Sequence, residues 1–243
     1  MAQDAAVVLL LHGFTHTGAS WESVREALGD RHRVIAPDIR GHGSASDRQP
    51  VALGPVLNDL SETAPASFVL AGYSMGGRLA LHLALAHPGR VQRLVLVGAS
   101  PGIADPVERE ERREADERLA QEIEQLDIGS FAERWARTPV LTGASEDVAG
   151  RAQEDRLRNT PAGLARALRG LGTGALPSVW NRLSELSMPV ILVTGERDAK
   201  FQAIARQMAP ALPDAQLLVE PGAGHAVHLE KPALVAREIA GER

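Results

Sequence analysis

The chain has 243 residues, of which 44% are hydrophobic and 23% charged, enough for a buried core beneath a polar surface. Its formal net charge of −5 argues against a nucleic-acid partner, because binding to phosphates needs a basic face. The absence of cysteine excludes disulfides, thiolate metal ligands and a cysteine nucleophile. The apolar run at residues 5–11 is too short to span a membrane, and no basic segment precedes it. We therefore expect a single cytoplasmic domain spanning residues 1–243, without a membrane partner.

Short apolar runs alternate with helical patterns along most of the chain. The runs are rich in leucine and β-branched residues, which is typical of strands covered on both faces. This alternation predicts an α/β fold with a mostly parallel central sheet flanked by helices. The predicted strands are residues 7–11, 33–36, 68–71, 94–97, 190–193 and 216–219, and the predicted helices are residues 21–28 (with Ser20 as N-cap), 76–86, 201–209 and 233–240.

The alternation stops between about residues 101 and 186, where the sequence is rich in arginine and glutamate. Within residues 116–126, Leu119, Ile123 and Leu126 follow one another at i, i+4 and i+7, which gives a single apolar stripe on a charged helix. We predict that this segment is a helical cap inserted between two strands of the sheet.

The strongest chemical signal is a G-x-S-x-G motif at residues 72–76, directly after a predicted strand and before a predicted helix. A sharp strand-to-helix turn of this kind exposes the serine hydroxyl, and the flanking glycines leave room for the turn. The motif therefore identifies Ser74 as a candidate catalytic serine. The alternative is a glycine-rich helix start in which the serine is incidental.

A second signal is the sequence Leu11-His12-Gly13-Phe14 after the first predicted strand. In folds with this serine turn, one oxyanion-hole amide comes from the loop after that strand, and the other comes from the residue after the serine. We expect these to be the backbone amides of Phe14 and Met75. An ordinary strand-to-helix turn that uses Gly13 is the alternative.

Two late loops supply the remaining candidates, Asp198 after the fifth predicted strand and His225 after the sixth. The order Ser…Asp…His is the one expected for the α/β-hydrolase fold. His225 would accept the proton of Ser74, while Asp198 would fix the imidazole tautomer. Glu196 is an alternative to Asp198, and His228 is an alternative to His225.

Beyond these motifs, the chain resembles the 2-succinyl-6-hydroxy-2,4-cyclohexadiene-1-carboxylate synthases, the lyases of the menaquinone pathway. The resemblance covers about residues 11 to 230, and the stretches in the predicted cap discriminate best because the serine turn is common to many hydrolases. The matching stretches are Leu11-His12-Gly13-Phe14-Thr15, Gly72-Tyr73-Ser74-Met75-Gly76-Gly77-Arg78, Pro101-Gly102-Ile103, Glu111-Arg112-Arg113 with Asp116, Phe131 to Trp135, Leu157-Arg158, Gly172-Thr173-Gly174, Pro177-Ser178-Val179-Trp180, Gly195-Glu196-Arg197-Asp198-Ala199-Lys200-Phe201, and Gly224-His225 to His228.

The resemblance implies that the enzyme eliminates pyruvate from a small substrate that carries several carboxylates. It also implies a substrate-binding set of Tyr73, Arg78, Arg112, Trp135 and Arg158, in which the arginines can hold carboxylates with two hydrogen bonds. Three of them have a plainer interpretation: Arg78 could pair with a surface carboxylate, Arg112 could lie on a solvated face, and Trp135 could pack in a core. Arg109 and Arg113 remain alternatives to Arg112.

In the reaction implied by the resemblance, Ser74 acts as a base, and no metal or organic cofactor takes part. One departure is Ala226, which stands where the family often has asparagine. Two other functions remain open from the residues: a carboxylesterase or C–C hydrolase with Ser74 as nucleophile, and a ligand-binding module without catalysis. The sequence does not indicate the oligomeric state, although a monomer is plausible.

Overall fold

The computed structural model describes residues 6–242, and a sheet of six strands lies at its centre. Every neighbouring pair of strands is parallel, and the strand order is β2-β1-β3-β4-β5-β6. The α/β-hydrolase fold predicted from the sequence is confirmed, and each predicted strand lies within an observed one or overlaps it. The strands are β1 (Ala6–Leu11), β2 (His32–Ile35), β3 (Phe68–Tyr73), β4 (Val91–Val97), β5 (Val190–Gly195) and β6 (Ala215–Glu220).

The two faces of the sheet pack against different helices because successive strand residues point to opposite sides. In β1, Val8 and Leu10 belong to an apolar cluster with the helices at the two ends of the chain. Leu9 and Leu11 belong to the cluster on the other face, which includes the helix after β3. Each fully buried aliphatic side chain contributes about 1.5–3 kcal/mol, so the four central strands form a firm platform for the loops at their ends.

The two edge strands differ from the prediction that strands are covered on both faces. Every residue of β3 and β5 is buried, whereas the residues of β2 and β6 are partly or fully exposed. An edge strand has a neighbouring strand on one side only, so its side chains receive less cover. None of the helices within residues 6–242 has the length and apolarity needed to cross a membrane.

Helices cover the sheet and fill the long segment between β4 and β5. The first begins one residue later than predicted: Trp21 precedes it, and the side chain of Thr17, rather than that of Ser20, caps the preceding short 3-10 turn. The helices are α1 (Glu22–Leu28), α2 (Leu53–Thr63), α3 (Met75–Ala86), α4 (Pro106–Glu124), α5 (Ile128–Ala136), α6 (Glu146–Arg156), α7 (Pro161–Leu171), α8 (Ala199–Met208), α9 (Val227–Glu230) and α10 (Pro232–Ala240).

Helices α4 to α7 form the segment that we call the cap, and no strand occurs between β4 and β5 in residues 98–189, all of which the structure describes. Their starts are marked by side chains that accept backbone hydrogen bonds, as at Asp105, Asp127 and Thr160. The predicted apolar stripe on α4 packs in a small apolar cluster with α5 and α7. This cluster includes Ile123, Phe131 and Leu164, and Leu119 and Leu126 pack against it.

Candidate active site

The candidate catalytic residues meet at the carboxyl edge of the sheet. Ser74 follows β3, Asp198 follows β5 and His225 lies between β6 and α9, while Phe14 follows β1. Because all six strands are parallel, the loops after them open on the same edge. Residues more than 150 positions apart in the chain are thereby brought within hydrogen-bonding distance.

The turn at Ser74 has a backbone conformation that L-residues rarely adopt, with φ of 51° and ψ of −108°. The neighbouring backbone approaches this turn so closely that only glycine fits on either side of it. A Cβ on Gly72 would collide with the Gly76 carbonyl, and a Cβ on Gly76 would collide with the Leu11 carbonyl. Such strain costs about 1–3 kcal/mol and persists at functional sites where the surroundings enforce it. The packing of β1 and β3 against the start of α3 therefore keeps the serine side chain turned toward the site.

Two hydrogen bonds join the three predicted triad residues. The Nδ1 of His225 lies 2.6 Å from Oδ2 of Asp198, and Nε2 lies 3.2 Å from Oγ of Ser74. Asp198 and His225 are each 5% exposed. The other carboxylate oxygen of Asp198 accepts the Phe201 amide at 3.3 Å, in the first turn of α8. This arrangement suits an imidazole that accepts the serine proton at Nε2 while its Nδ1–H donates to the carboxylate.

The two alternatives to the triad residues have other environments. Glu196 accepts the Gly222 amide at 2.8 Å and does not reach His225. His228 is fully buried between the rings of Trp21 and Tyr73, with ring centroids 4.6 and 4.2 Å away. Burial lowers the pKa of His228 well below its ordinary value, so it stays neutral, and neither of its ring nitrogens has a hydrogen-bond partner within residues 6–242.

The loop that carries His225 is held from both sides. Glu230 accepts the Gly224 amide at 2.9 Å and pairs with Arg197 at 2.6 Å. The His225 ring packs against the ring of Phe201, with centroids 4.4 Å apart. Ala226 precedes α9 without a capping side chain, so the alanine at this position leaves the start of that short helix uncapped.

Phe14 and Met75 lie beside the serine, as expected for the two oxyanion donors, and both line the cavity above it. Within residues 6–242, neither backbone amide donates to a protein acceptor. The Met75 amide is at the first residue of α3, where the helix dipole is positive. Both donors are thus free to bind a developing negative charge on an oxygen of a ligand.

A cavity of about 910 Å³ opens above Ser74, between the sheet edge and the cap. Three of the five predicted substrate-binding residues line it, namely Arg78, Arg112 and Trp135. Lys200, which the sequence marks only as part of a motif, also lines it. Most of the remaining wall is apolar, although the carboxylates of Asp105 and Glu108 also line it. A few charged groups in a mainly apolar wall are common in small-molecule sites.

The two arginines in this cavity have different supports. The Nε of Arg112 donates to Asp116 at 2.7 Å, and the other carboxylate oxygen of Asp116 accepts the Gly174 amide at 3.3 Å. Arg78 is 9% exposed, and its buried Nε has no protein partner within residues 6–242. Burial, and then the charge of Arg112, lower the pKa of Arg78 to about 10. Arg78 is therefore still charged at neutral pH, and a carboxylate ligand would provide the hydrogen-bond partner that its Nε lacks.

The structure does not bring Tyr73 or Arg158 into this cavity. Tyr73 is the last residue of β3, and its side chain points to the opposite face of the sheet from the cavity, where it packs against His225 and His228. Arg158 follows the end of α6 with its side chain 63% exposed, 3.8 Å from Asp155. It lines a polar surface groove beside Thr17 instead. The substrate-binding role of both residues stays a prediction, and their positions outside this cavity do not support it.

Arg156, two residues before Arg158, is the arginine on α6 that turns inward. It is 5% exposed, and it lines a small cavity of about 50 Å³ together with His16 and His225. Burial lowers its pKa, although the phenol of Tyr73 and the carboxylate of Asp155 act in the opposite direction. A signal was present in the sequence, because Val148, Ala152, Asp155 and Arg156 stand at i, i+4, i+7 and i+8 of one helix face, and all four are buried.

The parallel sheet, the strained serine turn and the hydrogen-bonded serine, histidine and aspartate define an α/β hydrolase, and residues 8–238 match the Alpha/beta hydrolase family. Two named proteins are similar to this chain over nearly its whole length. A Bacillus subtilis (strain 168) protein, provisionally named 2-succinyl-6-hydroxy-2,4-cyclohexadiene-1-carboxylate synthase, is 37% identical, with 96% of this chain and 88% of that protein covered. The synthase of that name from Escherichia coli O1:K1 is 30% identical, with 96% and 92% covered.

The solved structure of MenH from S. aureus has the same architecture. It superposes with a TM-score of 0.90 and 29% identity, covering 99% of this chain and 94% of that one. The chain therefore belongs to the 2-succinyl-6-hydroxy-2,4-cyclohexadiene-1-carboxylate synthase family of α/β hydrolases, in agreement with the resemblance found in its motifs.

Proposed function

We propose that the protein is a lyase that releases pyruvate from 2-succinyl-5-enolpyruvyl-6-hydroxy-3-cyclohexene-1-carboxylate and forms 2-succinyl-6-hydroxy-2,4-cyclohexadiene-1-carboxylate. The observation that carries this proposal is the position of Arg78 and Arg112 in the cavity above Ser74, in a chain of this family. A hydrolase of simple esters has no need of two arginines in that place. A substrate with several carboxylates does.

The bond changes follow from the two chemical names. A proton leaves ring carbon 2, which lies next to the succinyl carbonyl and is acidified by it. The electron pair forms the double bond between carbons 2 and 3, and the existing double bond moves to carbons 4 and 5. The bond from carbon 5 to the enolpyruvyl oxygen breaks, and the departing enolate takes up a proton to become pyruvate. No water is consumed, and no redox partner is required.

In this proposal Ser74 is the base rather than a nucleophile. His225, 3.2 Å from its hydroxyl, accepts the serine proton, and Asp198 stabilises the resulting imidazolium through the 2.6 Å contact. Removal of the ring proton places negative charge on the succinyl carbonyl oxygen. The free amides of Phe14 and Met75 are suited to bind that oxygen, and one such donor is worth roughly 3 kcal/mol in the transition state.

The charges around the site support a substrate of this kind. The proposed substrate carries three carboxylates: one on the ring, one on the succinyl arm and one on the pyruvyl group. Arg78, Arg112 and Lys200 line the main cavity, where they outnumber the carboxylates of Asp105 and Glu108, and Arg156 lies next to His225 in the adjoining small cavity. Trp135 supplies an aromatic wall that packs edge-on against Phe14, with ring centroids 5.3 Å apart. We therefore replace Arg158 by Arg156 in the proposed substrate-binding set, and we add Lys200.

The deciding experiment supplies purified protein with the enolpyruvyl substrate and follows pyruvate by a coupled lactate dehydrogenase assay. We expect pyruvate and the cyclohexadiene product in equal amounts, together with little turnover of aryl esters. Folded protein that releases no pyruvate at micromolar substrate would refute the proposal. An acyl adduct on Ser74 with rapid ester turnover would instead support the carboxylesterase or C–C hydrolase interpretation. The cytoplasmic location and the oligomeric state remain predictions.

A further inference from the structure

The loop between β1 and α1 contains a backbone conformation that its own sequence does not favour. The His16 amide donates to the Gly13 carbonyl at 3.2 Å, which closes a four-residue turn with Phe14 and Thr15 at its centre. Thr15 has φ of 69°, and within residues 6–242 only Thr15 and Ser74 have a positive φ without being glycine. Turns of this type place glycine or asparagine at that position, and a β-branched residue there is a clear outlier.

The turn at Thr15 matters because Phe14, the residue before it, carries one of the proposed oxyanion donors. A relaxed Thr15 would rotate the peptide planes on both sides of Thr15 and open the turn, so the His16 amide would no longer hold the Gly13 carbonyl, which belongs to the same peptide plane as the Phe14 amide. The free Phe14 amide would then no longer point where the developing oxygen charge requires it. Something outside the loop has to hold this conformation, since a strained residue persists only when its surroundings enforce it.

Two buried side chains at the end of α6 hold the turn. Asn159 is 4% exposed and donates to the Thr15 carbonyl at 2.8 Å and to the Arg156 carbonyl at 3.1 Å, while its oxygen accepts the Gly43 amide at 3.0 Å. These partners, two acceptors on one side and one donor on the other, fix the orientation of the amide.

Asp155 forms hydrogen bonds with the next two residues of the same loop. Its carboxylate accepts from the His16 ring at 2.9 Å, from the Thr17 amide at 3.0 Å and from the Thr17 hydroxyl. Although burial alone would raise the pKa of the Asp155 carboxyl, the hydrogen bonds from His16 and Thr17 keep it below its ordinary value. The carboxylate is therefore charged at neutral pH and acts as a fixed acceptor for the loop.

We infer that Asp155 and Asn159 are positioning residues, through which the cap sets the geometry of the oxyanion hole. This inference rests on the proposed lyase function. Its consequence is that the cap does more than enclose the substrate: the Phe14 donor is correctly placed only when the end of α6 is seated on the loop. Loss of the hydrogen bonds from Asp155 and Asn159 to this loop should lower kcat more than it raises KM.

The test is a pair of substitutions and their combination, Asn159→Ala, Thr15→Gly and both together, with pyruvate release as the assay. We expect Asn159→Ala to lower kcat by roughly ten- to a hundredfold, part of the loss caused by removing an oxyanion donor, with KM within threefold of wild type. Glycine adopts a positive φ without penalty. Thr15→Gly alone should therefore stay close to wild type, and in combination it should restore kcat at least tenfold over Asn159→Ala.

A purely structural role for Asn159 makes a different prediction. Ser145 caps the opposite end of α6 and touches neither the loop nor the cavity, so Ser145→Ala is the matched control for destabilisation of the same helix. A merely structural Asn159 would lower kcat only in step with Tm, as Ser145→Ala does, and Thr15→Gly would not rescue it. That result, or a kcat for Asn159→Ala within twofold of wild type, would overturn the inference.

Asp155→Asn provides a second measurement if Asn159→Ala does not fold. It keeps the size of the side chain but weakens its three hydrogen bonds to His16 and Thr17, and it should also lower kcat more than it raises KM. An unchanged kcat in this variant would count equally against the inference. Wild-type activity in the same assay separates this failure from failure of the proposed function, because a wrong function would leave wild type inactive as well.

Discussion

The carboxyl edge of the sheet and the helical cap contribute to the same cavity in different ways. At the sheet edge, Asp198 and His225 are almost fully buried in short loops, where Asp198 accepts the Phe201 amide and Glu230 accepts the Gly224 amide beside His225. In the cap, Arg112 has 41% of its side chain exposed and depends on Asp116 for its direction. The comparison indicates that the proposed proton-transfer groups are buried in short loops of the sheet edge, whereas Arg112, a proposed substrate-binding group, is partly exposed and directed by one carboxylate a helical turn away.

The largest expected effect comes from the sheet edge. Ser74→Ala removes the proposed base, and general-base catalysis typically contributes 10²- to 10⁴-fold to the rate. We expect kcat for pyruvate release to fall by about that range while KM changes little, because the serine does not hold a carboxylate. Circular dichroism and Tm should match wild type. A variant that keeps more than a tenth of wild-type kcat would remove the sheet edge from the chemistry.

Arg78 lies where the division between the two regions breaks down, because it stands on α3 directly behind the serine but lines the cavity with the cap residues. Arg78→Gln should lower kcat/KM roughly a hundredfold, since charged hydrogen bonds contribute about 1.5–3 kcal/mol. The variant should also be at least as stable as wild type, because a buried cation without a protein partner is removed. Steady-state kinetics and urea unfolding would measure both effects, and a destabilised variant with normal kinetics would contradict this role.

Sensitivity to acid should belong to the sheet edge rather than to the cap. Burial lowers the pKa of His12 to about 4 and that of His42 to about 3, while an unfolded histidine titrates near pH 6.5. Below pH 6.5 the unfolded chain binds protons that the folded chain excludes, so the free energy of unfolding decreases as the pH falls toward 4. At pH 5 the loss is about 2 kcal/mol for each of these histidines.

Urea unfolding at pH 7 and pH 5 measures this dependence. The rings of His12 and His42 lie 4.9 Å apart, and His12 accepts the Ile39 amide, so His12 is the harder of the two to replace. His42→Leu should flatten the decrease between the two pH values, even though it changes stability at pH 7. An equally steep decrease in this variant would place the acid sensitivity elsewhere in the molecule.

A smaller effect is expected for a substitution of Asp116, which accepts a hydrogen bond from the proposed substrate-binding Arg112. Asp116→Asn should leave Arg112 charged but poorly directed, and it should raise KM by about fivefold to tenfold with kcat nearly unchanged, a loss of about 1 kcal/mol typical of one hydrogen bond. The control is Glu110→Gln, which removes a comparable carboxylate that pairs with Arg113 on the exposed face of α4. Equal effects of the two substitutions would show that the position of Arg112 is not important.

The sequence predicts the sheet edge better than it predicts the cap. The strand positions, the serine turn and the two late loops are encoded by residues close together in the chain, so local patterns predict them. The sequence also places Arg78 correctly, because it stands four residues after Ser74 on the same helix. Phe14 and Met75 are placed beside the serine by the same local reasoning, although their role as donors remains a proposal.

The cap was harder to predict because its residues are positioned by contacts with distant segments. Nothing local distinguishes Asn159 from any polar residue after a helix, since its partners Thr15 and Gly43 are more than 100 positions away. Tyr73 lies outside the cavity for a simpler reason: it adjoins Ser74 in sequence, but alternation along β3 directs its side chain to the other face of the sheet.

The smallest expected effect is at Arg158, and it is informative because Arg156 stands two residues away. Arg156 is the last residue of α6 and Arg158 lies in the turn after it, so one side chain is buried beside His225 and the other is in solvent. Arg158→Gln should change kcat/KM by less than twofold, because its guanidinium is largely in solvent and its 3.8 Å contact with Asp155 contributes little. Arg156→Gln, measured in parallel, should lower kcat/KM at least tenfold. If the order is reversed, the end of α6 binds substrate through its outer face, and the substrate must lie in the groove beside Thr17 rather than above Ser74.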